Sequence, residues 1–290
     1  MESIDRNLHN AIHNEMAKVD PDTIFKPRIS VFAEVEPRIG TEISGTILDV
    51  GSGSGYASIW LAKHRGIEKA YAMEDSEAAV NTLLPRNILH HGVQEKVEPL
   101  RGSFDSIPFQ QSIDFVVAFG AIHHSKCLYS TMRSIGNSLK VGGYLIAQEP
   151  VMPNDTTNQQ YREKYDLVEE MHGLRIRNGD RDDHFFREAE YIAAASFAGL
   201  DLISYTDFDS KSSMGIFART IEFCDRVKES GPRGVAKKIS RILSFSPSYQ
   251  DDGAKLMKKY TKTVSPKTFL FKKGPVDYIP HLWRGLVIEN

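Results

Sequence analysis

The order of apolar and polar segments from residue 46 onward predicts strands that alternate with helices. A short apolar run, Thr46–Val50, leads into a glycine cluster, and the stretch from Tyr56 to His64 then has helical spacing. Further strands are predicted at 69–73, 97–100, 114–119 and 144–148, with helices at 77–89 and 128–139. Strands that alternate with helices form parallel βαβ units with right-handed crossovers, so the pattern predicts a doubly wound α/β core.

The segments on either side of this core are less regular. Residues 1–45 are predicted to be helix and connector interrupted by Pro21, Pro27 and Pro37. After Pro150 we predict a polar helix at 158–171, a charged loop, a helix at 188–198 and two late strands at 201–206 and 268–272. The predicted organisation is an N-terminal helical cover (1–45), a core (46–210), a basic helical cap insertion (211–264) and a last strand with a C-terminal tail (265–290).

Composition limits the class of protein. The 290 residues are 41% hydrophobic and 26% charged, which is typical of a globular chain with a full core. The first residues do not resemble a secretion signal, and no apolar run reaches the roughly 18 residues that a membrane span needs. The only cysteines, Cys127 and Cys224, lack the spacing of a disulfide framework or a zinc site. We therefore expect a cytoplasmic protein without a transmembrane segment.

Charge is distributed unevenly along the chain. Residues 1–210 carry 20 Lys/Arg and 31 Asp/Glu, a net charge of −11, whereas residues 211–290 carry 16 and 7, a net charge of +9. The basic third could face an anionic substrate, nucleic acid or a membrane surface. Two complementary faces of one protein that attract each other are an equally good interpretation, and the sequence leaves this open.

Asp49 precedes a glycine-rich loop that follows the first strand and opens the first core helix. Gly51, Gly53 and Gly55 permit a tight turn and close approach of the backbone, and the helix N-terminus presents unpaired N–H groups to a polar ligand. A carboxylate at position 49 would repel a pyrophosphate but attract an ammonium group. S-adenosylmethionine (SAM) has that ammonium and a sulfonium as well, so the loop is predicted to bind SAM.

Further candidate cofactor contacts follow the next strands. Glu74 ends the second strand about 20 residues beyond the loop, where an acid can accept hydrogen bonds from both ribose hydroxyls. Ser103 and Phe104 follow the third strand, where an adenine ring would lie. Each residue alone has an ordinary structural explanation, and it is their order along successive strand ends that favours a nucleoside site. The predicted cofactor-binding residues are Asp49, Gly51, Ser52, Gly53, Gly55, Glu74, Asp75, Ser103, Phe104 and Phe119.

These motifs resemble those of class I SAM-dependent methyltransferases, in the small-molecule branch that includes ubiquinone-type enzymes. The resemblance covers residues 46–150 and includes the first motif at 49–55, the acid at Glu74, an adenine loop at 101–109, the Ile122-His123-His124 sequence and the turn at 139–143. Ser103 replaces the family's usual Asp, so base recognition would shift to the backbone or to Asp105, and Val141 replaces a Pro. The resemblance implies a Rossmann-like sheet of seven strands, in the order 3-2-1-4-5-7-6 with one antiparallel strand.

The candidate catalytic residues are His123 and His124, which follow the fourth strand beside the expected position of the methyl group. Methyl transfer needs a general base only if the acceptor must lose a proton, and a histidine titrates near neutral pH. The alternative role is packing and hydrogen bonding at the start of the following helix, and the sequence favours that alternative slightly.

An acceptor pocket is expected outside the carboxyl ends of the strands. The candidate substrate residues are Glu149, His172, Arg175, Arg177 and His184. The arginines would suit a carboxylate or phosphate, although pairing with the acids at 180, 182 and 183 is the stronger interpretation. No spacing typical of metal ligands is present, so no metal is expected.

The predicted function is O- or C-directed methyl transfer from SAM to a small-molecule or lipid-like acceptor, for which an anionic compound is a candidate, with S-adenosylhomocysteine (SAH) as product. Three alternatives remain. An NAD-dependent oxidoreductase would need GxGxxG, but position 56 is Tyr. A non-catalytic scaffold that retains the SAM fold is the second alternative, because a fold does not establish a function, and the intact loop makes it the less favoured interpretation. A nucleic-acid methyltransferase is less favoured, because no Asn/Asp-Pro-Pro-Tyr/Phe sequence follows the fourth strand. The tail from Tyr278 could close the pocket or contact a second subunit in a homodimer.

Overall fold

The computed structural model describes residues 10, 13–21, 29–163, 186–207 and 265–275. Its centre is a seven-stranded sheet. The strands are β1 Ser44–Val50, β2 Gly66–Glu74, β3 Val97–Arg101, β4 Ile113–Phe119, β5 Leu139–Val151, β6 Leu200–Asp207 and β7 Ser265–Lys273. The helices are α1 Ile29–Ile39, α2 Tyr56–His64, α3 Leu84–His90, α4 Leu128–Ser138 and α5 Glu188–Phe197, with a 3-10 turn at Ile122–His124.

The strand order is β3-β2-β1-β4-β5-β7-β6, which confirms the predicted doubly wound sheet. The pairs β1–β2, β1–β4, β2–β3 and β4–β5 are parallel, whereas β7 runs antiparallel to both β5 and β6. Because the strand order reverses between β1 and β4, the carboxyl ends of these strands open the crevice in which such sheets bind ligands.

Each face of the sheet packs against its own set of helices. On one face, Val31 and Phe32 of α1 and Trp60 of α2 form a buried cluster in which the Phe32 and Trp60 rings stack at 5.1 Å. On the other face, apolar residues of α4 and α5 such as Ile135 and Tyr191 cover β4, β5 and β7. Helices therefore cover both faces of the sheet, as is usual for a largely parallel sheet.

Three elements depart from the sequence prediction. Helix α1 continues through Pro37 and ends before Gly40, because buried Val31, Phe32 and Val35 anchor it to the sheet. Strand β5 begins at Leu139 rather than after the Gly142-Gly143 pair, which lies in a bulge opposite residues 113–115. The predicted helix at 77–89 contains a π-helical turn, Ala79–Leu83, immediately before Pro85, whose missing N–H interrupts the regular pattern of helical hydrogen bonds.

Several predicted segments fall outside the described residues: positions 1–9, 11–12 and 22–28 of the N-terminal cover, the polar helix beyond residue 163, the whole cap at 211–264 and the tail from 276. Both late strands are described and form the antiparallel end of the sheet. Among the residues described, no helix is long and apolar enough to cross a membrane.

Candidate functional site

The glycine-rich loop joins β1 to α2 at the carboxyl edge of the sheet. Gly51, Gly53 and Gly55 all have positive φ angles, of 67°, 52° and 77°. A Cβ on Gly51 would lie 2.6 Å from the Ala121 Cβ, and one on Gly55 would lie 2.7 Å from the Leu84 side chain, so both glycines allow close packing. A Cβ on Gly53 would meet nothing within 4 Å. The middle of the loop therefore faces open space, while its two ends pack against protein.

Hydrogen bonds from neighbouring elements fix the path of this loop. Ser52 donates its N–H to the Met73 carbonyl at 3.0 Å, and the buried Asn87 side chain donates to the Ser54 carbonyl at 2.9 Å. The Ser52 hydroxyl is buried and has no hydrogen-bond partner in the structure. Asn87 was not singled out from the sequence, although a polar residue on the buried face of a predicted helix is a signal that could have identified it.

Asp49 is a buried carboxylate at the end of β1, with 3% of its surface exposed. Its Oδ2 accepts hydrogen bonds from the Ser58 hydroxyl at 2.7 Å and from the Ser58 N–H at 3.1 Å. Burial raises the pKa of Asp49 from 3.8 to about 6, the Ser58 hydrogen bonds oppose that shift, and the nearby Glu74 charge adds to it. The site thus holds a negative charge that lacks a cationic partner among the described contacts, which is the environment that an ammonium group would stabilise.

Glu74 contacts the glycine-rich loop directly. Its Oε2 accepts a hydrogen bond from the Gly53 N–H at 2.9 Å, and its Oε1 accepts from the N–H groups of Asp75 at 3.0 Å and Ser76 at 3.5 Å. The two acids that the sequence assigned to opposite ends of one ligand therefore both adjoin the glycine-rich loop. Asp75, also a predicted cofactor contact, is half-buried and contributes its backbone N–H to this arrangement.

The loop after β3 lies beside the glycine-rich loop and Glu74. A Cβ on Gly51 would lie 3.5 Å from the Phe104 ring, so that ring lies close to the start of the glycine-rich loop. The Gly102 N–H donates a hydrogen bond to the Glu74 backbone carbonyl at 3.2 Å. Ser103 is exposed and its hydroxyl accepts from the Asp105 N–H at 3.4 Å. Asp105 in turn accepts from the Thr131 hydroxyl of α4, so its carboxylate secures the loop to that helix.

Phe119, a predicted cofactor contact, lies in the buried cluster on the α1–α2 face of the sheet. Its ring is buried in the aromatic cluster of the α1–α2 face, with ring centroids 5.6 Å from Phe32 and 6.2 Å from Tyr56. Phe119 therefore packs the core beneath the loop, and a direct cofactor contact from its side chain remains a prediction.

His123 lies in the 3-10 turn after β4 and is held by Glu149. The Nδ1 atom of His123 lies 2.8 Å from Glu149 Oε2, and 12% of the His123 side chain is exposed. Glu149 Oε2 also accepts the backbone N–H of His123, so the ring and the backbone of one residue contact the same oxygen. His124 packs against His123 with the ring centroids 4.0 Å apart.

Glu149 was predicted to line the acceptor pocket, but the structure buries it completely. Its carboxylate accepts the N–H groups of Ala121 at 3.0 Å, Ile122 at 2.9 Å and His123 at 3.3 Å. A side chain that satisfies three backbone donors and one imidazole orients the turn, and a contact of Glu149 with the acceptor stays a prediction. Its position at the end of a strand was visible in the sequence, but its burial was not.

The other predicted acceptor residues, His172, Arg175, Arg177 and His184, lie outside the described residues. Within the described part of the chain, no group of three or more histidine, cysteine, aspartate or glutamate side chains is placed to hold a metal ion.

The arrangement fits SAM on three observations of the structure. Open space faces Gly53, the Ser52 hydroxyl is buried without a partner, and the carboxylates of Asp49 and Glu74 adjoin the loop. Asp49 and the loop would hold the amino-acid end of the ligand, and Glu74 would hold the ribose. These assignments are predictions for bound ligand.

Comparison with known proteins agrees with this geometry. Residues 48–147 match the family model described as "Methyltransferase domain". The chain is 24% identical over 157 residues to sarcosine/dimethylglycine N-methyltransferase of Aphanothece halophytica, which covers 51% of this chain and 52% of the relative. It is also 24% identical over 131 residues to tRNA U34 carboxymethyltransferase of Shewanella amazonensis, covering 42% and 36%. The chain spans about half or less of the length of the curated relatives it matches.

A solved structure shares the fold over most of the chain. The structure of a putative sarcosine dimethylglycine methyltransferase from Galdieria sulphuraria superposes with a TM-score of 0.64 at 16% identity, and the match covers 85% of this chain and 84% of that one. The family match over 48–147 and this shared sheet both support a class I SAM-dependent methyltransferase domain in this chain.

Proposed function

We propose that this protein transfers a methyl group from SAM to a small-molecule acceptor. The observation that carries the proposal is the hydrogen bond between Gly53 N and Glu74 Oε2, at 2.9 Å, because it joins the two halves of the predicted ligand site in one cleft. Asp49 would attract the ligand's ammonium group, and Glu74 would accept hydrogen bonds from its ribose hydroxyls. When bound, SAM supplies an electrophilic methyl group on a sulfonium.

His123 is proposed as the general base for an acceptor that loses a proton. Donation of Nδ1–H to Glu149 selects the tautomer in which Nε2 carries the lone pair of the neutral ring. If an acceptor oxygen or acidic carbon took the methyl group, with the bonding electrons left on the sulfur of SAH, His123 Nε2 would receive the proton that the acceptor loses. Glu149 is then a positioning residue, because it holds the ring and the backbone of the turn together.

The acceptor is proposed to be a small or lipid-like molecule. The name of the Aphanothece relative supports a small acceptor, although it specifies methylation at nitrogen. A nucleic-acid acceptor is the second candidate, because the name of the Shewanella relative includes tRNA and because residues 211–290 carry a net charge of +9. A small acceptor is preferred because the nucleic-acid signature after β4 is absent from the sequence.

Transfer of tritium from methyl-labelled SAM tests the proposal. The full chain is incubated with a panel of hydroxyl, amino and acidic-carbon compounds and, separately, with tRNA, while calorimetry compares the binding of SAH with that of NAD. We expect SAH binding, no NAD binding and label in a small molecule. Label in tRNA alone would favour the second candidate. SAH binding without transfer to any acceptor would favour a scaffold, and NAD binding without SAH binding would favour an oxidoreductase.

A further inference from the structure

In the described part of the N-terminal segment, the Asn10 side chain contacts the turn that follows Glu74. Asn10 Oδ1 accepts a hydrogen bond from the Ser76 hydroxyl at 2.8 Å and another from the Ala78 N–H at 3.2 Å. Ser76 and Ala78 lie where the chain leaves β2 and enters the next helix, and the first N–H groups of a helix have no partner within it. Ser76 satisfies one such group, accepting from the Ala79 N–H at 3.2 Å, and Asn10 satisfies another.

The turn that Asn10 holds is the same turn that orients Glu74. Glu74 Oε1 accepts from the N–H groups of Asp75 and Ser76, at 3.0 and 3.5 Å. The residue that donates its hydroxyl to Asn10 therefore also donates its N–H to Glu74. A displacement of Ser76 would therefore move one of the N–H groups that donate to Glu74, the carboxylate that we assign to the ribose.

Asn10 is not an isolated contact of the N-terminal segment. Further along, the Arg86 guanidinium donates to the Val19 carbonyl, and Pro21 is buried. Residues 10 and 19 thus contact the two ends of one stretch of chain, the turn after β2 and helix α3. Lys18, by contrast, is 60% exposed and pairs only locally with Glu15 in the contacts described.

We propose that Asn10 is a positioning residue for the cofactor site, and that its bonds to Ser76 and Ala78 couple docking of the N-terminal segment to binding of the ribose by Glu74. The inference rests on the proposed function. Coupling between two binding events is reciprocal, so a ligand held by Glu74 must also stabilise the docked segment.

Calorimetry with SAH tests the coupling in the full chain. Asn10→Ala removes two hydrogen bonds and should weaken SAH binding roughly fivefold to tenfold. Asn10→Asp keeps an accepting oxygen next to a helix N-terminus and should return the affinity to within about twofold of wild type. Lys18→Ala, in the same segment, is the matched control and should leave the affinity unchanged.

A double-mutant cycle separates positioning from a general loss of stability. In a Glu74→Gln background, Asn10→Ala should have much less effect on SAH binding than in the wild type, because its influence passes through that carboxylate. Saturation with SAH should also slow hydrogen exchange of the amides at 13–21 in the wild type, and less so in Asn10→Ala.

The outcomes distinguish this inference from the proposed function. If the wild type fails to bind SAH, both are wrong. If the wild type binds SAH, three results would refute the coupling alone. Asn10→Ala could bind SAH as tightly as the wild type, or it could lower SAH affinity by the same factor in the wild-type and Glu74→Gln backgrounds. SAH could also leave hydrogen exchange at 13–21 unchanged. A lower melting temperature of Asn10→Ala with unaltered SAH affinity would assign Asn10 a purely structural role.

Discussion

Replacing Asp49 by Asn should stabilise the ligand-free protein while weakening cofactor binding. Asp49 is 3% exposed, and burial raises its pKa from 3.8 to about 6. Each pKa unit corresponds to about 1.4 kcal/mol, so ionising this carboxylate costs the folded state up to about 3 kcal/mol above pH 6. Asparagine has nearly the same shape, keeps an oxygen for Ser58 and carries no charge.

The pH dependence gives the sign of the effect. Between about pH 4 and pH 6 the folded protein binds more protons at Asp49 than the unfolded chain does, so the free energy of unfolding falls as pH rises through this window. Below it, Asp49 is protonated in both states and the charge penalty is absent. Asp49→Asn should therefore gain most over the wild type at pH 8 and little at pH 4.

Urea unfolding without ligand at pH 4 and pH 8 measures this difference, and calorimetry with SAH at pH 8 measures the loss of binding. Glu98→Gln is the matched control, since it removes a half-exposed carboxylate of β3 that pairs with Lys69. A variant that is less stable than the wild type at pH 8, or that shows the same difference in stability at both pH values, would refute the electrostatic argument. Unchanged SAH affinity would show that the Asp49 charge does not act on the ligand.

Three further predictions concern the loop and the catalytic turn. Gly53→Val should abolish SAH binding by filling the space in front of the loop. Gly40→Val is the control, because it also replaces a positive-φ glycine that faces open space. Both variants should lose a similar amount of stability, on the order of 1–2 kcal/mol, but Gly40→Val should still bind SAH. Glu149→Gln should lower kcat about 10²–10⁴-fold in the methyl-transfer assay with SAH affinity retained, because an amide cannot accept at every contact that Glu149 makes; an equal loss in Glu98→Gln would contradict this. Ser58→Ala should raise the pKa of Asp49 above about 6 and lower stability at pH 8 in urea unfolding, by roughly 1–3 kcal/mol, and unaltered stability would contradict the role of Ser58.

The sheet could be predicted from sequence because each strand carries its own signal. The apolar run of β4 and the glycine loop after β1 are local patterns, and helix α2 spans the predicted residues, Tyr56–His64. Where long-range packing overrides a local rule, the prediction was wrong. Pro37 does not end α1, because the buried face of that helix continues to pack on the sheet around it.

The site was predicted in part, for the same reason. Asp49 and Glu74 could be predicted from their positions at strand ends, but the residues around them could not. The structure shows that Ser58 donates to Asp49 directly, and that Asn10 is linked to Glu74 through Ser76 of the following turn. Glu149 also lies near a strand end, but its side chain is buried and accepts hydrogen bonds from the backbone of the turn that contains His123. Identity and spacing indicated which residues are near the site, whereas burial decided their roles.

A crystal structure of the full chain with SAH tests the central claim most directly. The account predicts that both ribose hydroxyls lie within hydrogen-bond distance of the Glu74 carboxylate, with the amino-acid end against residues 49–55 and the open space at Gly53 filled. Clear density for SAH anywhere else, with the cleft between Asp49 and Glu74 empty, would contradict the account.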